Sequence, residues 1–128
     1  MLPSMSTTKQ LPRAEWQAYF DRFTRAHLRD DRPGAATLEV VSPIFGDQYE
    51  ASALRLLGLV YDPKSNAFEV ALEGVDHLVF EPREIWILEE EPGLIATIEV
   101  VERDGGKEII YVRASEQPAS GTDVFPPV

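Results

Sequence analysis

Between Pro12 and Arg29 the apolar side chains recur at the spacing of an α-helix. They fall three or four residues apart, so they form one stripe, and polar residues occupy the opposite side. Pro12 suits the first turn of a helix, and the Asp-Asp-Arg-Pro-Gly sequence after Arg29 suits its end. The pattern therefore predicts an amphipathic helix whose stripe, made of Trp16, Tyr19, Phe20, Phe23 and His27, docks on an apolar surface. We expect His27 at the edge of the core, the alternative being a buried switch that titrates near neutral pH.

After Ala36 the spacing changes to the alternation that is typical of half-buried β-strands. Phe68, Val70 and Leu72 alternate with polar or small residues, and an Asp-Gly-Gly sequence separates two further apolar runs as a hairpin turn does. Strand and helix patterns do not alternate, so we expect an antiparallel sheet. The predicted fold class is α+β, with an N-terminal amphipathic helix packed on a curved, mainly antiparallel meander of about six strands.

The length of the chain, 128 residues, corresponds to one domain that needs no disulfide or metal to be stable. We expect a flexible N-terminus over residues 1–11 and a single α+β domain over residues 12–114. Residues 115–128 are rich in Pro, Ser, Gly and Ala, which predicts a flexible C-terminal tail.

The charge of the chain restricts its partners. Its formal net charge of −10 repels phosphate groups, so we do not expect it to bind nucleic acid. No apolar run is long enough to span a bilayer, and the start lacks the basic and apolar segments of a signal peptide, so we expect a cytoplasmic protein with no membrane partner. The acidic surface either serves solubility alone or attracts a basic partner.

Several segments of the chain are similar, in order and spacing, to those of a known family. They are residues 61–64 (Tyr-Asp-Pro-Lys), 73–78 (Glu-Gly-Val-Asp-His-Leu), 82–86 (Pro-Arg-Glu-Ile-Trp) and 99–101 (Glu-Val-Val), with the Glu15-Trp16 pair in the predicted helix. Together they resemble domain of unknown function family 5335 (DUF5335), whose members are small bacterial proteins that begin with an aromatic-rich helix. The resemblance implies no activity, and it maps no catalytic or ligand-binding residue onto this chain.

Most classes of active site lack their characteristic residues in this sequence. It contains no glycine-rich phosphate loop, no dinucleotide fingerprint and no Gly-x-Ser-x-Gly elbow. Cysteine is absent, and the two histidines, His27 and His77, are too far apart in sequence for a metal-binding pair on one helix. We therefore expect no catalytic activity, no metal and no cofactor.

One polar cluster nevertheless carries groups that are capable of chemistry. If the chain turns at Gly74 and again at Pro82, these groups converge near one end of the sheet, where they would bind a divalent metal or act as an acid–base pair. The alternative, which we favour, is that they bond turn backbone groups and each other. The cluster consists of Asp76, His77, Glu81, Arg83 and Glu84.

Two further patterns are open to a structural and a functional interpretation. The aromatic residues Trp16, Phe20 and Phe23, with Trp86, either line a ligand pocket between helix and sheet or simply pack the core, which is the default. The acidic run at residues 89–91 either takes part in binding calcium or a basic peptide or forms a solvated turn, which we favour.

Two functional hypotheses follow, with an enzyme or a metal site around Asp76, His77 and Glu81 in third place. The first is a non-catalytic interaction protein that engages a partner, or a second copy of itself as a homodimer, through an uncovered strand edge or the apolar face around Trp86. The second is a small-ligand-binding domain with its pocket between helix and sheet.

Overall fold

The computed structural model describes residues 7–28, 34–44 and 46–113 of the chain. Its main helix, α1, spans Trp16–His27 and follows a single 3₁₀ turn at Arg13–Glu15. Its strands are β1 (Thr7–Leu11), β2 (Gly34–Ser42), β3 (Gly46–Asp62), β4 (Ala67–Leu72), β5 (Val75–Phe80), β6 (Pro82–Glu91), β7 (Leu94–Glu102) and β8 (Lys107–Arg113). All eight belong to one sheet, in the order β1-β6-β7-β8-β2-β3-β4-β5.

The predicted fold class is wrong, although the predicted antiparallel pairing is confirmed. Every strand pair is antiparallel, but the domain is mainly β, with eight strands where about six were expected. The sheet is also not a simple meander, because β2 lies between β8 and β3, and β6 lies beside β1. The helix is not the first element either, since β1 precedes it.

Strand β1 was not predicted because its sequence, Thr-Thr-Lys-Gln-Leu, has no apolar alternation. Leu11 at its end is buried, whereas Thr8, Lys9 and Gln10 are exposed, so pairing with β6 rather than burial makes the segment a strand. Strand β1 lies within residues 1–11, the segment for which we expected a flexible N-terminus. The predicted tail, residues 115–128, lies outside the described residues.

The sheet is rolled, because a single residue joins two strands that lie near its opposite ends. Strand β5 is last in the order and β6 is second, yet only Glu81, with a positive φ of 53°, separates them in the chain. The inner faces of distant strands therefore meet. His77 on β5 bonds the carboxylate of Glu108 on β8, although three strands lie between β5 and β8 in the sheet.

The helix fills the concave side of this rolled sheet with the aromatic stripe that the sequence predicted. The Trp16 and Tyr61 rings meet edge to face with centroids 5.0 Å apart, and those of Phe20 and Phe68 lie 4.8 Å apart. The Thr24 hydroxyl accepts a bond from the Leu59 N–H and donates to its carbonyl, both at 3.0 Å. Burial of these large side chains is what holds the helix on the sheet.

No helix within the described ranges has the length and apolar character needed to cross a membrane.

Candidate functional site

Strand β5 leaves one edge of the sheet open and exposes large apolar side chains there. It pairs with β4 alone among the strands of the described chain. Val75, Leu78 and Phe80 are exposed by 50%, 44% and 62%. An edge strand presents unpaired backbone N–H and C=O groups, so apolar side chains beside them form a surface suited to another strand.

On the outer face, two carboxyl groups lie next to this open edge. The register pairs Leu78 with Glu69 and Asp76 with Ala71, which makes Glu69 and Asp76 diagonal neighbours on one face. Partial burial raises the pKa of Glu69, and the charge and hydrogen bond of Asp76 raise it further. This pair of carboxyl groups is therefore crowded, and among the described residues no ion pair links either member to a cation.

On the inner face, His77 reaches a second group of carboxyls, on β7 and β8. Glu108 is 5% exposed and bonds the imidazole of His77. Partial burial and the neighbouring Glu108 carboxyl together raise the pKa of Glu102 to about 7, and Asp104 adds to the shift. His77, Glu102 and Glu108 thus join β5, β7 and β8 through hydrogen bonds and charge at this end of the roll.

The two faces meet at a cavity of about 410 Å³ where β5 ends. Phe80 and Glu81 line it from one side, and Glu102, Arg103 and Asp104 line it from the other. The Arg103 guanidinium donates to Glu81 at 2.7 Å, so one of the three carboxyl groups already has a cationic partner.

A second cavity, of about 400 Å³, lies between α1 and the turn that joins β6 to β7. At its wall Glu89 is 6% exposed and accepts hydrogen bonds from the Tyr19 hydroxyl at 2.5 Å and the Gly93 N–H at 3.2 Å. The Lys9 ammonium lies 3.5 Å from the same carboxylate. Burial, followed by the bond to Glu89, raises the pKa of Tyr19. The prediction of a solvated acidic turn is therefore wrong for Glu89, because the helix and β1 cover it.

The polar cluster that the sequence singled out is divided among separate contacts. Asp76 faces Glu69 on the outer side and His77 faces Glu108 on the inner side, because neighbouring strand residues point in opposite directions. Glu81 bonds Arg103 at 2.7 Å, Glu84 accepts from the Trp86 indole at 2.9 Å, and Arg83 is exposed. Within the described parts of the chain, no group of three or more His, Asp or Glu side chains has a metal-binding arrangement.

The four aromatic residues proposed for a ligand pocket do not share one. Trp16 and Phe20 are 1% and 0% exposed and pack in the core, so the space between helix and sheet is filled there. Phe23 is buried but also borders the cavity beside α1. Trp86 points to the outer face of the sheet, where it is half-buried.

Sequence reasoning missed Glu69, Glu102 and Glu108, the acidic partners on the strands around β5. A signal was present for two of them. Residues two apart on a strand face the same side of the sheet. Glu108 lies two residues before the buried Ile110, and Glu102 lies two residues after the buried Val100, so each is a charged residue at an inward-facing position. Such positions carry charge only where a partner satisfies it.

These features define a class of protein: a mainly-β domain built from one rolled antiparallel sheet, closed by a helix and open at one acidic, apolar edge. The chain belongs to the family of unknown function DUF5335, whose profile matches residues 7–120. It is 43% identical over 108 residues to an uncharacterized protein of Aquifex aeolicus (strain VF5), an alignment that covers 83% of this chain and 92% of the relative. No solved structure matches it.

Proposed function

We propose that this domain is a non-catalytic interaction module that accepts an extended segment of a partner protein along β5. The observation that carries the proposal is the coincidence of an unpaired strand edge with exposed Val75, Leu78 and Phe80. Added strands gain affinity from backbone hydrogen bonds and specificity from alternate side chains, and β5 offers both. The carboxyl and imidazole groups nearby bond one another, which supports a structural role for them rather than catalysis.

A partner of a different kind is favoured over a second copy of this chain. Pairing β5 with β5 of another copy would bring together two bodies that each carry a net charge of −10. It would also double the number of carboxyl groups around the edge. The alternative is a homodimer through β5 or through the face around Trp86. Sedimentation velocity at several salt concentrations distinguishes a homodimer from a monomer that binds a different partner.

The proposal is tested with a neutral strand peptide and the isotope-labelled protein. The peptide has the length of β5, six residues, and alternates valine with threonine. We expect its addition to shift the backbone amide signals of β5 and β4 and to leave those of β1 in place. Shifts at β1, or no shifts at β5 for this and any other strand peptide, would contradict the proposal.

A small-ligand role has one observation in its favour, the cavity of about 400 Å³ beside α1. Its lining combines apolar Phe23 and Ala26 with Lys9 and Arg22, which is a usual mixture for a ligand site. Native mass spectrometry tests this role, since a retained ligand gives extra mass that denaturation removes. The extra mass should disappear in Ala26→Trp, which fills the cavity from an exposed position on the helix.

A further inference from the structure

We infer that the segment which docks on β5 is basic, with lysine or arginine alternating with apolar residues. This inference rests on the proposed function and adds the chemistry of the partner to it. Its basis is that carboxyl groups flank the open edge on the outer face and again at the C-terminal end of the strand. These groups are Glu69, Asp76, Glu81, Glu102 and Asp104.

The outer face supplies the first position for a cation. A strand that pairs with β5 places one of its outward side chains directly opposite Asp76, with Cβ atoms about 4.5–5.5 Å apart. Glu69 lies on the next strand and hydrogen-bonds Asp76 through its side chain. A lysine or arginine at this place would contact both carboxyl groups, whereas a glutamate would add a third like charge.

The cavity at the end of β5 supplies the second position. Its volume of about 410 Å³ is sufficient for the head of a lysine or arginine side chain, and Phe80 offers an aromatic wall for the stem. Glu102 and Asp104 line the far side, while Arg103 already pairs with Glu81. A cation that follows β5 to its end therefore meets two carboxyl groups that are not bonded to Arg103 in the structure.

Because the carboxyl groups are crowded, binding of a basic segment should release protons, and this release can be measured. In the free protein Glu102 keeps its proton to about pH 7, because it is partly buried beside Glu108. A cation bound next to it favours the ionised form, so binding at this pH displaces protons into the buffer. A neutral or acidic segment supplies no such cation and does not displace them.

The net charge of the whole protein agrees with a basic partner. A body with a charge of −10 attracts cationic segments and repels anionic ones over distances of about 10 Å at ordinary ionic strength. Because strand side chains alternate between faces, the basic residues of such a segment lie along the outer face, where their alkyl stems cover the exposed Leu78 and Phe80. Its apolar residues lie on the inner face, next to the exposed Val75. Charge and exposure thus point to the same alternating pattern.

The experiment compares three peptides of six residues, the length of β5, in which valine alternates with lysine, glutamine or glutamate. Titrations are followed by calorimetry and by amide shifts at pH 7. We expect the lysine peptide to bind about tenfold more tightly than the glutamine peptide, as two partly exposed ion pairs allow, and the glutamate peptide to bind most weakly. Only the lysine peptide should release protons on binding, which is measured as the dependence of the binding heat on the ionisation enthalpy of the buffer.

Variants locate the charges responsible. Asp76→Asn combined with Glu102→Gln should remove most of the preference for lysine. The matched control, Asp47→Asn combined with Glu91→Gln, removes the same number of carboxyl groups from exposed positions elsewhere and should retain the preference. If the control loses it equally, net charge rather than this edge selects the peptide, and the inference is wrong.

The remaining outcomes separate the inference from the proposed function. If the three peptides bind equally and shift the β5 amides, the inference fails and the interaction role stands. If the lysine peptide binds but shifts amides away from β5, the inference fails because the cations lie elsewhere. If no peptide affects β5, both the inference and the proposed function fail.

Discussion

The two edge strands of the sheet differ in the side chains that they expose. Strand β1 exposes only polar side chains along its described part, Thr8, Lys9 and Gln10. Strand β5 exposes Val75, Leu78 and Phe80, and contains neither lysine nor proline. Proteins commonly protect sheet edges with charge, brevity or cover. Polar side chains, among them Lys9, protect the β1 edge, whereas exposed apolar side chains leave β5 suited to pairing, and this contrast indicates where a partner binds.

The internal contacts of the two edges differ as well. The indole N–H of Trp16 donates to the Leu11 carbonyl at 2.9 Å, which fastens the end of β1 to the helix. Strand β5 is held from its inner face by Val79, which is buried, and by the bond from His77 to Glu108. A substitution can therefore destabilise one edge strand without removing the contacts that hold the other.

We expect the largest loss of stability from Trp16→Ala, at the β1 side of the sheet. Removal of a fully buried aromatic side chain costs about 3–5 kcal/mol of unfolding free energy, through lost burial and the cavity that is left. Urea denaturation measures it. The half-buried Trp86 is the control, and Trp86→Ala should cost clearly less. Equal losses for the two variants would show that Trp16 does not occupy the core as described.

A smaller effect is expected from His77→Ala at the β5 side. The substitution leaves the Glu108 carboxylate buried without its imidazole partner, a loss of about 1–3 kcal/mol. Hydrogen exchange should accelerate at β5 more than at β1. His27→Ala, which removes a half-buried imidazole from the helix, is the matched control. An unchanged unfolding free energy for His77→Ala would contradict the contact between β5 and β8.

Tyr19→Phe should have a still smaller effect, now beside β1. It removes the hydrogen bond to the buried Glu89 while keeping the ring, so we expect a loss of about 1 kcal/mol. Gly93 and Lys9 continue to interact with that carboxylate and limit the loss. The same urea titration measures it, and a gain in stability would mean that the Tyr19–Glu89 pair is strained rather than favourable.

The pH dependence of stability should also reflect Glu102. Folding raises its pKa from 4.5 to about 7, so between these values the folded chain binds more protons than the unfolded one. The contribution is complete below about pH 4.5 and is lost as the pH rises through 7, so the unfolding free energy falls over this window. Glu102→Gln should flatten the fall, whereas Glu91→Gln should not. Parallel curves for wild type and Glu102→Gln would contradict the raised pKa.

Local periodicity was sufficient to predict those elements that have their own apolar pattern. The helix stripe from Trp16 to Phe23 and the alternation of Phe68, Val70 and Leu72 both correspond to observed burial. Strand β1 lacks such a pattern and exists because β6 provides a pairing edge. The rolled shape depends on the topology of the strands, which no local pattern encodes.

The candidate site was harder to predict because its contacts join distant parts of the chain. His77 and Glu108 are 31 residues apart, and the cavity at the end of β5 combines Phe80 with Glu102. Alternation does predict that Asp76 and His77 face opposite sides. It also marks Glu102 and Glu108 as charged residues at inward positions, but it does not name their partners.

The most direct test of the difference between the two edges uses the absence of cysteine from the chain. Thr8→Cys and Leu78→Cys each place one thiol on an exposed, outward-facing position of an edge strand, β1 or β5. A six-residue valine and threonine peptide with a central activated cysteine is added, and disulfide formation is timed by mass spectrometry. Rates are normalised to those with oxidised glutathione. We predict trapping several-fold faster at Leu78→Cys, and equal or faster trapping at Thr8→Cys would contradict the assignment of β5 as the docking edge.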